Sequence, residues 1–331
     1  MAENPPVCYT IAKGIISSRT GMKRFDVVGL GYCALDYLGI VAHYPELDEK
    51  IPILEFAKQG GGITATAMAA VGRLGGRAAY IGKVGDDDFG KFIISDLKND
   101  QVDTTGVAVQ PGASSQFSFI VVDQATGKRT IFWTASGLAL EPHEIRREHI
   151  LAGKVLHLDA HYPRAAIQAA VWANEAGIPV LMDAGSAREG SVELTEQADY
   201  LIASALFARQ FTGEEDPERA ARRMLAGRCK VSAVTLGEGG CFFATEEGVF
   251  HQPAFEVDVA DTTGAGDVFH GAFSFGLAKG WPYREIIEFA SAVAAMKCTK
   301  LGGRAGIPTL PQALNFLRTR SENKFWRNIR D

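Results

Sequence analysis

The residues best suited to chemistry form the run Asp261-Thr262-Thr263-Gly264-Ala265-Gly266-Asp267, followed by Val268-Phe269-His270-Gly271-Ala272-Phe273. Small residues at 264–266 let a ligand approach the backbone closely. If a helix starts near Asp267 and runs to about Lys279, its first N–H groups have no intrahelical acceptor and its dipole is positive at the same end, so the turn is an anion cradle. A carboxylate beside the cradle can accept a hydroxyl proton while the N–H groups hold charge building on a transferring phosphoryl group. Asp267 is thus the candidate general base, with Gly264, Ala265 and Gly266 as oxyanion donors. A capped helix on an ordinary glycine turn is the plainer alternative for the same residues.

Several elements must aim that helix start. Val257 and Val259 alternate and read as the end of a strand feeding the turn. From Lys154 to Leu236 apolar strands alternate with helical segments, the pattern of a parallel sheet covered on both faces. Ligands gather at the carboxyl ends of such strands, where His161, Asp183 and Thr235-Leu-Gly237-Glu-Gly-Gly240 fall. Phe25–Gly31 is a further strand. Gly29-x-Gly31-x-x-Ala34 formally fits a dinucleotide fingerprint, but Gly39 and Pro45 make the next stretch extended where that motif needs a helix.

Ile51–Lys58 is extended and leads through Gly60-Gly61-Gly62 into an Ala-rich helix ending at Gly75-Gly76. Ala78–Val84 is a strand, and Asp86-Asp87-Asp88 read as caps of the helix that follows rather than as a metal site. Ser115–Val122 and Lys128–Trp133 form a hairpin. With residues 51–58 it makes a small sheet outside the main body, whose apolar face suits a second copy of the chain, hence a homodimer. Helices are expected over Arg284–Cys298 and Pro311–Thr319, with a solvated basic tail at 321–331.

Composition narrows the partners. The chain has 331 residues, enough for a full core. Thirty-four basic against 39 acidic residues, net −5, offer no field for nucleic acid or an anionic membrane. Five scattered cysteines without a Cys-x-x-Cys pair point to a reducing, cytoplasmic setting. No apolar run approaches the roughly 18 residues of a membrane span, and the N-terminus lacks the pattern of a secretion signal. Residues 1–24 precede the first strand as an extension with no assigned role.

Asp-Thr-Thr-Gly-Ala-Gly-Asp267 followed by a Phe-x-Gly helix resembles the C-terminal signature of the ribokinase-like sugar kinases, the PfkB family, and matching segments extend over roughly residues 25–310. The resemblance implies an α/β fold with a central, mostly parallel sheet flanked by helices and a small β-sheet lid. The expected kinase domain covers 25–320, with lid strands at about 46–59 and 107–135. It implies ATP and Mg2+, with Asp267 as base and Gly264-Ala265-Gly266 as anion hole.

Asp36 matches the sugar-binding Asp past the first strand, and Gly61 and Gly62 match the N-terminal signature, in which Thr66 replaces an expected Asn. Thr235, Gly237 and Gly240 resemble the nucleotide-side loop, and Gly303 falls where the family lines its adenine pocket. A K+ site around Asp261 and Thr263 is implied by the resemblance alone.

The likeness is nearest the sulfofructose kinase branch, but Trp133 and His161 stand where that branch has the Asn and Arg that hold the sulfonate. The family's Asn and Glu after the strand at Asp199–Ile202 are also missing, since Ala203–Ala208 contains no carboxylate; that leaves Asp183 or water to hold magnesium. The expectation is phosphorylation of a small sugar or sugar derivative. The alternatives are a nucleoside kinase of adenosine type or a catalytically impaired sugar- or nucleotide-binding relative.

Overall fold

A computed structural model describes residues 23–134 and 137–329. Nearly all of the expected N-terminal extension and the end of the expected second lid segment lie outside these residues. Strands β1 (Phe25–Leu30), β2 (Ala34–Val41) and β3 (Glu55–Gly61) precede helix α1 (Ile63–Arg73). Then come β4 (Ala78–Gly85), α2 (Asp88–Asn99), β5 (Val102–Gln110), β6 (Phe117–Asp123) and β7 (Arg129–Trp133). The alternating half runs α3 (Arg147–Leu151), β8 (Gly153–Asp159), α4 (Pro163–Glu175), β9 (Val180–Ala184), α5 (Ser191–Gln197), β10 (Tyr200–Ser204), α6 (Ala205–Thr212), α7 (Pro217–Met224) and β11 (Val231–Thr235). It closes with β12 (Cys241–Thr245), β13 (Gly248–Gln252), α8 (Ala265–Lys279), α9 (Tyr283–Lys297), α10 (Leu310–Arg320) and α11 (Phe325–Asn328).

Nine strands form one sheet in the order β13-β12-β11-β10-β9-β8-β1-β4-β5, parallel except for β12 and β13 at one edge. Successive strand residues point to opposite faces, so each buried strand feeds two cores. Val27, Val155, Leu181 and Ile202 pack with α1, α2, α8 and α9, whereas Val28, Leu156, Met182 and Ala203 pack with α4, α6 and α7. The second sheet, β3-β2-β6-β7, is small and separate and contains strands expected to form the lid; β2 and β6 run parallel and its outer pairs antiparallel.

Four expectations change. The extended stretch after β1 is β2, a central lid strand. Residues 107–110 belong to β5, which pairs with β4 in the large sheet rather than with the lid. Residues 253–264 form an irregular connection and not a strand, and Val259 is 57% exposed. The C-terminal segment is not a solvated tail: Trp326 is fully buried, its ring 5.5 Å from that of Trp281 and 5.9 Å from that of Phe289.

Candidate active site

Helix α8 carries the anion-hole turn, and its seating on α1 sets where that turn points. A side chain at Gly271 would strike the Ala67 carbonyl of α1 at 2.3 Å, so only glycine allows this approach. Gly264 caps the helix with φ +72°, a left-handed conformation that favours glycine. The N–H of Ala265 turns back to the Thr262 carbonyl at 3.2 Å, which removes it from the expected set of oxyanion donors. Among the described residues no bond engages the N–H of Gly264, Gly266 or Asp267. Space beside Gly266 is open.

Asp267 lies in the first turn of α8, partly accessible to solvent. Burial and then the charge of Asp183 push its carboxyl up to about 7; Asp36 and Asp159 add to the rise and His270 opposes it. A carboxyl poised there is matched to proton abstraction near neutral pH. Asp36, on β2, is buried, and burial raises it to about 6 against the hydroxyl of Ser118 and the charge of Arg304. Its carboxyl fills the space a side chain at Gly61 would need. Asp36 is also near enough to Asp267 for its charge to add to the rise there.

Asp159 and Asp183 are cross-strand neighbours at the carboxyl ends of β8 and β9. Sequence reasoning missed Asp159. It accepts from the Tyr32 N–H and the Thr64 hydroxyl, both at 2.8 Å, and from the His161 N–H at 2.9 Å, and its carboxyl is held down at about 2 despite burial, by His161 and these donors. Asp183 behaves oppositely: burial and the Asp159 charge hold it well above the carboxylate range. Neighbouring carboxyls pushed apart in this way mark a functional site.

His270 was also missed. Its Nδ1 lies 2.6 Å from the Gly266 carbonyl and 3.1 Å from Asp183 Oδ2, and its Nε2 lies 3.2 Å from the Ile202 carbonyl; burial lowers its pKa, and the neutral ring has one N–H, so it donates on one side only. Asp183 is buried, and its Oδ2 has no hydrogen-bond partner among the described residues. Among the described residues no three His, Cys, Asp or Glu side chains gather to hold a metal ion.

The lid brings Gln59, Ser118 and Trp133 to the Asp36 side, since Asp36 registers with Gln59 and Ser118, and Ser118 with Trp133. Trp133 is 63% exposed there. His161 stacks on Tyr32, ring centres 4.4 Å apart, with Nδ1 3.4 Å from Asp159. Thr66 does not face solvent. It is buried in α1 and accepts from Arg304 Nε at 3.4 Å.

Arg304, unrecognised in the sequence, is buried and also donates to Asp96 at 2.9 Å and to the Gly61 carbonyl at 3.2 Å, which pins the glycine loop. Thr235 ends β11 with its hydroxyl on the Ala203 carbonyl at 3.2 Å, followed by exposed Gly237 and by Gly240. Gly303 packs instead on the anion-hole turn, where a side chain at Gly264 would meet its Cα at 3.0 Å.

Asp261 and Thr263 do meet, but not as an open cation site. Asp261 Oδ1 accepts from the Thr263 N–H at 2.8 Å and hydroxyl at 2.7 Å, Oδ2 accepts from the Gly302 N–H at 2.8 Å, and the carbonyl accepts from Lys297 Nζ at 2.8 Å.

Residues 25–310 match the pfkB family carbohydrate kinase signature. Fructokinase-2 of Solanum habrochaites is 32% identical over 292 residues, covering 80% of this chain and 88% of that one, and fructokinase-2 of Solanum lycopersicum is 30% identical with the same coverage. The ribokinase structure of Thermotoga maritima superposes with a TM-score of 0.78 at 26% identity, covering 89% of this chain and 99% of that one. The chain belongs to the pfkB family of carbohydrate kinases.

Proposed function

We propose that this kinase moves the γ-phosphoryl group of ATP onto a primary hydroxyl of a small sugar, a free ketohexose being the first acceptor to test. The observation that carries the reading is Asp267: a carboxyl raised to about 7, beside the unengaged N–H groups of Gly264, Gly266 and Asp267, with Asp36 near enough for its charge to add to the rise. Asp267 takes the acceptor proton as the phosphoryl group arrives, and the N–H groups steady its charge. Asp36, Gly61 and Gly62 hold the acceptor hydroxyls beneath the lid, with Trp133 and His161 at the rim. Thr235, Gly237 and Gly240 line the nucleotide side, and magnesium travels with the ATP phosphates. We assign Asp183 to tuning Asp267 rather than to metal binding.

The relatives named fructokinase support the sugar class. The exposed outer face of the lid, where Tyr37 stacks between Phe56 and Phe119, supports dimerisation there. A cytoplasmic setting is supported by the four described cysteines, all free thiols, and by the absence among the described residues of a helix long and apolar enough to cross a membrane. Release of ADP should be followed with fructose, other ketoses, aldoses, sugar phosphates and adenosine. Saturable release with one sugar is expected. Nucleotide binding without release on any acceptor would favour the impaired relative, and turnover confined to adenosine the nucleoside kinase.

A further inference from the structure

In place of a bound monovalent cation, we infer, this chain uses the ammonium of Lys297 as a tethered one that holds the anion-hole loop, so phosphoryl transfer is independent of K+. The inference rests on the kinase reading above. It starts from the misfit between Asp261 and a cation site. All three oxygens of Asp261 already accept from donors of the chain: Thr263 on Oδ1, Gly302 on Oδ2 and Lys297 on the carbonyl. A monovalent metal ion would have to share these oxygens with the donors already on them and displace the ammonium from the Asp261 carbonyl. It would also have to approach a fixed positive charge at contact distance.

Lys297 is built for the role. It sits on the last turn of α9, fully buried, and reaches back to a residue 36 positions earlier. A buried ammonium persists only where oxygens and negative charge compensate it. Burial lowers the Lys297 pKa, and the Asp261 carbonyl and the charges of Asp261, Cys298 and Asp267 offset part of that, with Arg129 opposing.

The same helix end is tied to the loop a second way: the Ala260 and Asp261 N–H groups donate to the Cys298 carbonyl at 2.9 and 3.1 Å. Gly306 closes the arrangement, since a side chain there would strike the Lys297 carbonyl at 2.1 Å. The ammonium thus lies at the root of the turn that presents Gly264, Gly266 and Asp267. There it acts as a positioning group and as a positive charge behind the anion hole.

The test compares wild type, Lys297→Met and Lys297→Ala in choline, Na+ and K+ chlorides at equal ionic strength. Wild-type kcat is expected to agree within about twofold across the salts. Lys297→Met is expected to lose at least tenfold in choline and to recover in K+, and Lys297→Ala to recover with ethylammonium or propylammonium chloride. Melting temperature supplies a readout independent of turnover: wild type plus ATP should melt at the same temperature in K+ and choline, and the Met variant should be stabilised by K+. A wild-type rate rising tenfold or more with K+, or K+-dependent melting of wild type, overturns the inference. So does a Met variant equally impaired in every salt. If the variants do not fold, the wild-type salt comparison decides alone. If no acceptor turns over, the kinase reading has failed, and the melting comparison still decides whether Lys297 replaces the cation.

Discussion

Arg129, on β7 of the small sheet, reaches the turn that opens α8 and donates from Nη1 to the Thr262 hydroxyl at 2.6 Å. The two residues lie 133 positions apart, and the bond is a direct tie between the small sheet and that turn. It is solvent-exposed, so by itself it adds little to global stability. Its effect is on closure. Arg129→Ala is expected to raise the acceptor KM by several-fold and to leave the melting temperature within about a degree. A melting loss of many degrees with unchanged KM would show the contact to be structural instead.

Asp267→Asn should lower kcat by about 10² to 10⁴ and leave nucleotide affinity nearly intact. The same change should stabilise the fold in base. A carboxyl raised to about 7 in the folded state binds its proton more tightly there than in the unfolded chain, so its stabilising protonated form is lost as pH climbs towards 7. The Asn variant should therefore melt several degrees above wild type at pH 8, with the gap closing as pH falls towards 4. Calorimetry at the two pH values, set beside single-turnover rates, checks both halves; a variant less stable than wild type at pH 8 removes the strained carboxyl.

The pH–rate profile should show an acid limb near 7, because protonated Asp267 cannot accept the hydroxyl proton. Asp183 is among the groups that raise Asp267, and the two share protons as a pair. Asp183→Asn removes one member of that pair and leaves Asp267 to titrate alone, so the acid limb should move to lower pH with the overall mechanism preserved. An unmoved limb would separate Asp183 from the base.

What the sequence revealed of this site, and what it concealed, follows from how local each interaction is. Asp267 with Gly264 and Gly266 was legible because a helix start creates unengaged N–H groups whatever lies around it. Asp36 and the glycine loop were found through the resemblance, and the structure sets them against each other. Asp159, His270, Lys297 and Arg304 were not legible. Asp159 is defined by Thr64, 95 positions away, and Arg304 by Thr66, 238 positions away, and no periodicity reports contacts at that range.

The fold shows the same division. The alternating strands and helices from β8 to β11 were read closely because their apolar runs are strong. By contrast, Val102-Asp-Thr-Thr-Gly gives β5 a polar start with no clear period. The Val257/Val259 alternation mimics a strand yet finds no partner strand to pair with.

The C-terminal segment escaped the sequence reading for a related reason, and it carries the last prediction. Its Arg and Lys residues read as a solvated end, but Trp326 is fully buried against Trp281 and Phe289, with Nε1 donating to Glu288 at 2.8 Å. Glu288 also accepts from Ser321 at 2.5 Å and from Asn323 at 3.1 Å, so the segment both fills a hole and satisfies a carboxylate on α9. Trp326→Ala should cost about 3–5 kcal/mol, the range for emptying a large aromatic site. Because α9 ends in Lys297 behind the anion hole, the loss should reach the site: urea unfolding should shift to lower denaturant, and activity in the folded range should fall with it. A Trp326→Phe variant, which keeps most of the volume and loses the bond to Glu288, should retain most of the stability. Equal damage from both substitutions would mean that the hydrogen bond, rather than the packing, secures the C-terminus.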